Sequence, residues 1–166
     1  MKPKNIYTLG DYYDDHLNDI CHLVKNGVGM DVMAKFLCNT FKDSIPKNSI
    51  LLPLPARQTF PTIVAKYLCE ARPDLVYHIM FGDNGLSQFY YIKQRTLRDR
   101  RIILNDSNLV RIGWRSFKDN DNIILIDNVI GTGCTMAKAM SLIRRQCDAL
   151  CIAVDWKTFN SYNFDE

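Results

Sequence analysis

Apolar positions along the chain follow two rhythms. In the first, Leu17, Ile20, Cys21 and Val24 recur at three- and four-residue intervals, with Asp14 and Asp15 ahead, Lys25 behind and Gly27 beyond, which predicts a short amphipathic helix. A second helix is expected with Asp31 as its cap, Met33, Phe36, Leu37 and Phe41 as its buried stripe and Lys42 at its end. A third begins near Thr59 and Pro61, buries Ile63, Val64, Tyr67, Leu68 and Ala71, and stops before Pro73. A fourth follows Thr135, with Met136, Ala139, Met140 and Ile143 inward and Arg144 and Arg145 in its last turn.

The second rhythm has no alternation. S-I-L-L-P-L at 49–54, Leu75–Met80 broken by His78, Ile123–Ile126, and Ala149–Val154 are short apolar runs bounded by turn residues, so each predicts a strand buried on both faces. Pro53 belongs at the distal end of its strand, since it has no N–H to give to a ladder. Such runs separated by helical or long connections imply an α/β fold, a mostly parallel central sheet with helices on both faces. The residues before Leu17 read as a polar start.

Composition changes little in this picture. The chain has 166 residues, 47% hydrophobic and 23% charged, which suits one domain with a real core and excludes a disordered chain. Net charge is only +3, too mild for an overt nucleic-acid binder. No apolar run approaches the ~18 residues that would span a membrane. The six cysteines form no C-x-x-C pair and Met1-Lys2-Pro3-Lys4 is no secretory signal, so the expectation is reduced thiols in a cytoplasmic protein. His16 and His22 are six apart, not the spacing of a helical metal pair, and His78 reads as a core histidine paired to backbone.

Charge becomes informative between Phe81 and Asp121, a long polar stretch without a clear helix, too long to be a passive connection. A functional loop is expected there, with a β-ribbon at Phe89–Lys93 and Ile102–Leu104. Arg95, Arg98, Arg100 and Arg101 lie within seven residues and could meet the oxygens of a pyrophosphate by bidentate contacts. The same arginines with Phe89, Tyr90 and Tyr91 would also suit single-stranded nucleic acid, and a solvated basic loop is the plainest alternative.

The most specific chemistry lies in N-I-I-L-I-D-N-V-I-G-T-G-C-T, Asn122 to Thr135. An apolar strand runs into Asp127, and a Gly/Thr loop opens a helix, so free backbone N–H groups and the helix dipole converge on one spot suited to phosphate. Asp127, at the strand end, can accept hydrogen bonds from ribose hydroxyls. No Gly-Lys-Ser/Thr follows, and the position after Gly131 and Gly133 that a dinucleotide fingerprint gives to glycine holds Met136, so neither nucleotide motif applies.

This stretch resembles the loop that binds phosphoribosyl pyrophosphate (PRPP) in type I phosphoribosyltransferases. Asp127, Val129, Ile130, Thr132, Gly133 and Thr135 fit the pattern, while Asn128 stands where a second acid is usual and Gly131 where Thr or Asp is usual. The resemblance covers 48–157, the core; 1–47 would supply N-terminal helices that help form a small hood, within one domain over 1–166. It implies a Mg2+-dependent transfer of phosphoribose from PRPP to a nucleobase-like nitrogen acceptor, with release of pyrophosphate and with Mg2+ held mainly by PRPP rather than by a protein cage. In the roles it implies, Val129, Ile130, Gly131, Thr132, Gly133, Cys134 and Thr135 bind PRPP, with Thr132 to Thr135 on the 5-phosphate, and Asp127 with Asn128 handles the ribose. Ala56, Arg57, Gln58 and Arg95 meet the pyrophosphate, and Arg98 and Arg100 close over it on a mobile ribbon. Trp156 and Lys157 recognise the base. K-Q-R-T followed by R-D-R and Asn105 is similar to the ComF-like branch, which keeps a nucleic-acid role open as an alternative. Asn128 and Gly131 point to slow chemistry, an unusual acceptor, or a PRPP or nucleotide sensor without turnover. No membrane partner is expected, and a homodimer is compatible with the chain.

Overall fold

The computed structural model describes residues 1–83 and 109–162. The expected ribbon at Phe89–Lys93 and Ile102–Leu104, and the arginines Arg95, Arg98, Arg100 and Arg101, lie outside the described residues. In chain order the elements are β1 (Ile6–Asp11), α1 (Leu17–Lys25), α2 (Met30–Phe41), β2 (Ile50–Pro53), α3 (Phe60–Ala71), β3 (Val76–Tyr77), β4 (Phe81–Asp83), β5 (Leu109–Arg111), β6 (Ile123–Ile126), β7 (Val129–Ile130), α4 (Cys134–Ile143), β8 (Asp148–Val154) and α5 (Trp156–Asn160).

Three of the apolar runs, as β2, β6 and β8, form the middle of a parallel sheet in the order β1-β8-β6-β2-β3; the fourth, 75–80, supplies only the two-residue edge strand β3, with Val76 and Ile79 exposed because no strand covers that side. Every residue of β2, β6 and β8 is buried, as strands covered on both faces require. Pro53 closes β2 opposite Ile126. β1 is the correction to the sequence reading. I-Y-T-L-G-D is half-buried throughout and has no continuous apolar run, because it is an edge strand; it is held by its register with β8, from Ile6 opposite Ala149 to Asp11 opposite Val154. β4 and β5 pair antiparallel as a separate ribbon.

Side chains divide between the two faces of the sheet. Leu51, Ile124, Ile126, Leu150 and Ile152 pack with α1, α2 and α3, including Leu17, Leu37, Phe60, Val64 and Leu68. Leu52, Ile123, Leu125, Ala149 and Cys151 pack with α4, α5 and the ribbon, including Met136, Met140, Phe159, Phe81 and Leu109. Helices therefore cover both faces. None of the six cysteines is in a disulfide, and only Cys69 is partly open to solvent. Among the described residues no helix is long and apolar enough to cross a membrane.

Several details differ from the periodicity. In α2 the buried stripe is Ala34, Leu37 and Cys38, while Phe36 is 54% exposed, because small residues let this helix sit close to α3 and turn Phe36 outward. Asp31 lies inside the first turn rather than at its cap, which is Gly29 at φ 70°, and pairs with Lys35 at 3.1 Å and with the Tyr67 hydroxyl. Ala71 is exposed. The His78 backbone N–H donates to the Leu51 carbonyl (3.0 Å), but its ring meets the Arg115 guanidinium, and burial together with that cation holds the imidazole below its usual pKa. Arg145 donates to the carbonyls of Lys118 (2.6 Å) and Asp121 (2.9 Å), so it pins the loop before β6.

Arg72 ties the end of α3 to the turn after α2. It donates to the carbonyls of Lys42 (2.9 Å) and Ile45 and is oriented by Asp74 at 2.7 Å. Arg72→Ala is expected to lower the urea midpoint, the two carbonyl bonds contributing about 1.5–3 kcal/mol. Arg72→Lys should recover only part of the loss, since an ammonium cannot fork between both oxygens and a carboxylate. A midpoint for Arg72→Ala equal to that of the parent would contradict this.

Candidate functional site

The site is built where β6 runs out. Past Ile126 the chain stays alongside β8: the Asp127 N–H donates to the Leu150 carbonyl (3.0 Å), Ile152 N–H to Asn128 (2.9 Å) and Asp155 N–H to Ile130 (2.9 Å). β7 keeps the same partner strand, with Val129 opposite Ala153 and Ile130 opposite Val154. Asp127 and Asn128 are thus anchored by backbone at the carboxyl end of a parallel sheet, where open α/β sheets bind ligands. Their side chains are free to do something else.

Asp127 Oδ1 accepts one hydrogen bond from the Asn128 N–H (2.8 Å). Burial nevertheless pushes its carboxyl up to about 7, against the pull of that amide and of Lys25. Asn128 Oδ1 is buried and has no hydrogen-bond partner among the described residues. Further along, Thr132 is only 7% exposed and its hydroxyl accepts from Cys134 N–H at 3.2 Å, which caps the first turn of α4. The first-turn N–H groups of Thr135 and Met136 have no acceptor within the helix, and both residues line the cleft at the positive end of its dipole.

The two glycines of the loop play different parts. Gly133 precedes α4 at φ 86°, a left-handed conformation that other residues adopt only under strain. Gly131 has an ordinary φ, and a Cβ there would meet nothing within 4 Å. Gly133→Ala is expected to cost about 1–2 kcal/mol of stability, whereas Gly131→Ala should stay within about 0.5 kcal/mol. Equal losses at the two positions in denaturant titrations would refute this assignment.

A cleft of about 420 Å³ lies over this loop. Asp127, Asn128 and every residue from Val129 to Thr135 line it, and Ala56 and Arg57 line it from the loop after β2. Gln58 does not; its side chain lies over Gly27, where a Cβ would sit 3.3 Å from it, locking the end of α1 to the start of α3. From the end of β8 it is Asp155 that reaches the cleft. Trp156 turns its ring edge-on to Phe159 at 5.7 Å and packs on the α4 side of the sheet, and Lys157 is exposed; neither lines the cleft.

One wall was invisible to pattern reading. Tyr12, Tyr13, Cys21, His22 and Lys25, from the β1–α1 corner, complete the cleft. In the sequence Cys21 looks like core and Lys25 like a helix-end cation, and neither carries a motif. Burial and the neighbouring Arg57 hold the Lys25 ammonium below its usual pKa, while Asp127 opposes them, so these three charges share the cleft. Burial pushes the Cys21 thiol up to about 12, which leaves it protonated and unfit as a nucleophile.

Among the described residues no cluster of three or more His, Cys, Asp or Glu could hold a metal. The cleft does offer the carboxylates of Asp127, Asp83 and Asp155. They form no cluster, so a divalent ion here would be carried mainly by a ligand's phosphate oxygens and not by an all-protein cage.

No protein-family profile matches the chain, and no curated protein matches it. Among solved structures it is similar to a hypoxanthine phosphoribosyltransferase from Staphylococcus aureus, at 14% identity over 75% of this chain and 61% of the other, with a TM-score of 0.45. It is also similar to an adenine phosphoribosyltransferase, at 16% identity over 81% of this chain and 73% of the other, again with a TM-score of 0.45. The chain therefore spans less than two thirds of the length of the first of these.

Proposed function

We propose that this cleft binds PRPP and that the protein transfers its phosphoribosyl group to a nitrogen acceptor of nucleobase type, releasing pyrophosphate. The observation that carries the proposal is the convergence of three parts on one cleft: the amide-rich turn at Thr132–Thr135, the carboxyl of Asp127, and the cations Lys25 and Arg57.

Each part has a physical task. The 5-phosphate sits at the N-terminus of α4, where the N–H groups of Thr135 and Met136, the Thr135 hydroxyl and the helix dipole favour an anion. Ionised Asp127 accepts from the ribose hydroxyls by charge-assisted bonds, and the unpartnered Asn128 Oδ1 is an additional acceptor for them. Arg57 and Lys25 face the pyrophosphate and offset the charge that builds on it as the C1–O bond breaks. The acceptor nitrogen then bonds to C1 from the opposite side, and the ring oxygen shares the positive charge in between. A bound Mg2+ would supply further neutralisation of the leaving pyrophosphate. Most of the acceleration in such a reaction comes from positioning and from prearranged electrostatics.

A second reading, a PRPP or nucleotide sensor, is favoured by one feature. Asn128 carries no charge, and the Asp127 carboxyl is pushed up to about 7, so little negative charge faces a cationic ribose. Calorimetry with Mg–PRPP and with ribose 5-phosphate tests the binding shared by both readings. Absence of heat with either ligand would sink both. Pyrophosphate release across a panel of bases separates them: an enzyme releases it, and a sensor releases none, even as Asn128→Asp.

A further inference from the structure

The cleft has a phosphate end at Thr132–Thr135 and, on a different wall, a cluster of rings that the proposed reaction does not yet use. Tyr12 and Tyr13 follow β1 directly, and their rings meet edge to face at 5.2 Å and 82°. His22, on α1, stands edge-on to Tyr12 at 6.4 Å, and its Nε2 lies 3.1 Å from the Tyr12 hydroxyl. All three line the cleft, as does Asp155 at the end of β8.

We propose that Tyr12, Tyr13 and His22 form the seat of a flat nitrogen heteroaromatic ring, of nucleobase chemistry, with Asp155 as acceptor for a ring N–H. This deepens the reading given above and rests on it for the phosphate end of the ligand.

Three observations carry the inference. First, the wall is prearranged. The Tyr12 N–H donates to the Val154 carbonyl at 2.8 Å, the Tyr13 N–H to Asp11 Oδ1 at 2.9 Å, and the Tyr12 hydroxyl is held by His22, so little freedom is lost when a ring stacks there. Second, Tyr13 is 68% exposed although its ring meets that of Tyr12, which leaves ring surface open beside a concave site. Aromatic faces stack on heteroaromatic rings of any sequence identity, because each has a π-face. Third, Asp155 has acceptor capacity in reserve. Its Oδ1 takes the Thr158 N–H at 3.1 Å and its Oδ2 the Thr158 hydroxyl at 2.7 Å, one bond per oxygen where a carboxylate oxygen can take two. Asp155 also raises the Tyr12 pKa, after burial, Cys21 and Tyr13, so the acceptor is within electrostatic reach of the rings. Trp156, the aromatic the sequence places at this strand end, is spent on Phe159.

The experiment is a calorimetric comparison of the full chain with Tyr13→Ala and Tyr13→Phe, titrated with AMP, GMP, UMP, the corresponding nucleosides and ribose 5-phosphate. At least one monophosphate is expected to bind the parent roughly tenfold or more tighter than ribose 5-phosphate does. Tyr13→Ala should remove that difference and leave ribose 5-phosphate unchanged, and Tyr13→Phe should keep it. Because Tyr13 is mostly exposed, its truncation leaves the fold intact, which a thermal melt verifies. If ribose 5-phosphate binds but Tyr13→Ala changes no monophosphate affinity, or weakens every ligand equally, the aromatic seat is overturned and the phosphate reading stands. If neither ribose 5-phosphate nor the monophosphates bind, the phosphate reading falls; Tyr13-dependent binding of nucleosides would then still support the seat, and its absence would overturn the seat as well.

Discussion

Phe60→Ala is expected to destabilise the protein by about 3–5 kcal/mol, the range for removing a fully buried aromatic ring. Phe60 is completely buried, opens α3 and packs among Leu51, Val64, Leu68 and the neighbouring helices. The loss combines the transfer of the ring out of the core with the cavity left behind, and this site collapses poorly, because the sheet on one side is anchored by β2–β6 pairing. Set against the ~5–15 kcal/mol that holds a typical domain together, this is a large share. The consequence reaches the cleft, since Phe60 anchors the loop that carries Ala56 and Arg57. Urea titration of Phe60→Ala and Phe60→Leu checks the prediction. Leucine, which fills most of the volume, should cost less than about 1.5 kcal/mol, and a midpoint for the alanine variant within error of the parent would show that the ring is not part of a packed core.

Asp127→Asn is expected to gain stability at pH 8 and to lose ligand affinity there. Unfolded, an aspartate titrates near ~3.9; folded, burial moves the Asp127 carboxyl up to about 7. Between these values the folded chain keeps a proton that the unfolded chain has released. The residue's favourable contribution is therefore complete below about pH 4 and is lost as the pH rises towards 7. Asparagine keeps an oxygen to accept the Asn128 N–H and has no charge to bury. The variant should match the parent at pH 4 and exceed it at pH 8 by on the order of 1–2 kcal/mol, a figure reduced to allow for water on the open side of the carboxyl. Binding runs the other way. Charge-assisted bonds to ribose hydroxyls need the carboxylate, so Mg–PRPP affinity of the parent should fall as the pH drops below 7, and the variant should bind roughly tenfold or more weakly at pH 8. Denaturation curves from pH 4 to 8 and calorimetry at both ends measure this. A stability difference that does not vary with pH would exclude Asp127 as the titrating group.

The two predictions differ in how far the sequence led to them. The layer that holds Phe60 was legible, because helical spacing at 63–68 and unbroken apolar runs at 50–54 and 123–126 are local patterns that burial enforces in any context. Errors came where a neighbour decides. Phe36 has the spacing of a core residue but points outward, since Ala34 and Cys38 set the close approach of α2. β1 has no strand pattern of its own beyond short alternation, and it is a strand because the edge of β8 offers it a ladder.

What the sequence by itself determined is the parallel α/β core and the contiguous half of the cleft lining, Asp127 to Thr135. A phosphate-type turn is made of successive residues, whose glycines and hydroxyls act over one or two peptide units. What only the tertiary structure decided is the other half. Lys25, Tyr12, Tyr13 and His22 come from the far end of the chain, and parallel pairing of β1 with β8 sets them down beside Asp155, with Tyr12 hydrogen-bonded to Val154. No spacing along the chain encodes that meeting, because it depends on which strand lies next to which. The same dependence moved the carboxyl of Asp127: its identity was readable from the strand end, but its pKa of about 7 arises from the burial that the fold imposes, against the opposing pull of the Asn128 amide and the Lys25 ammonium.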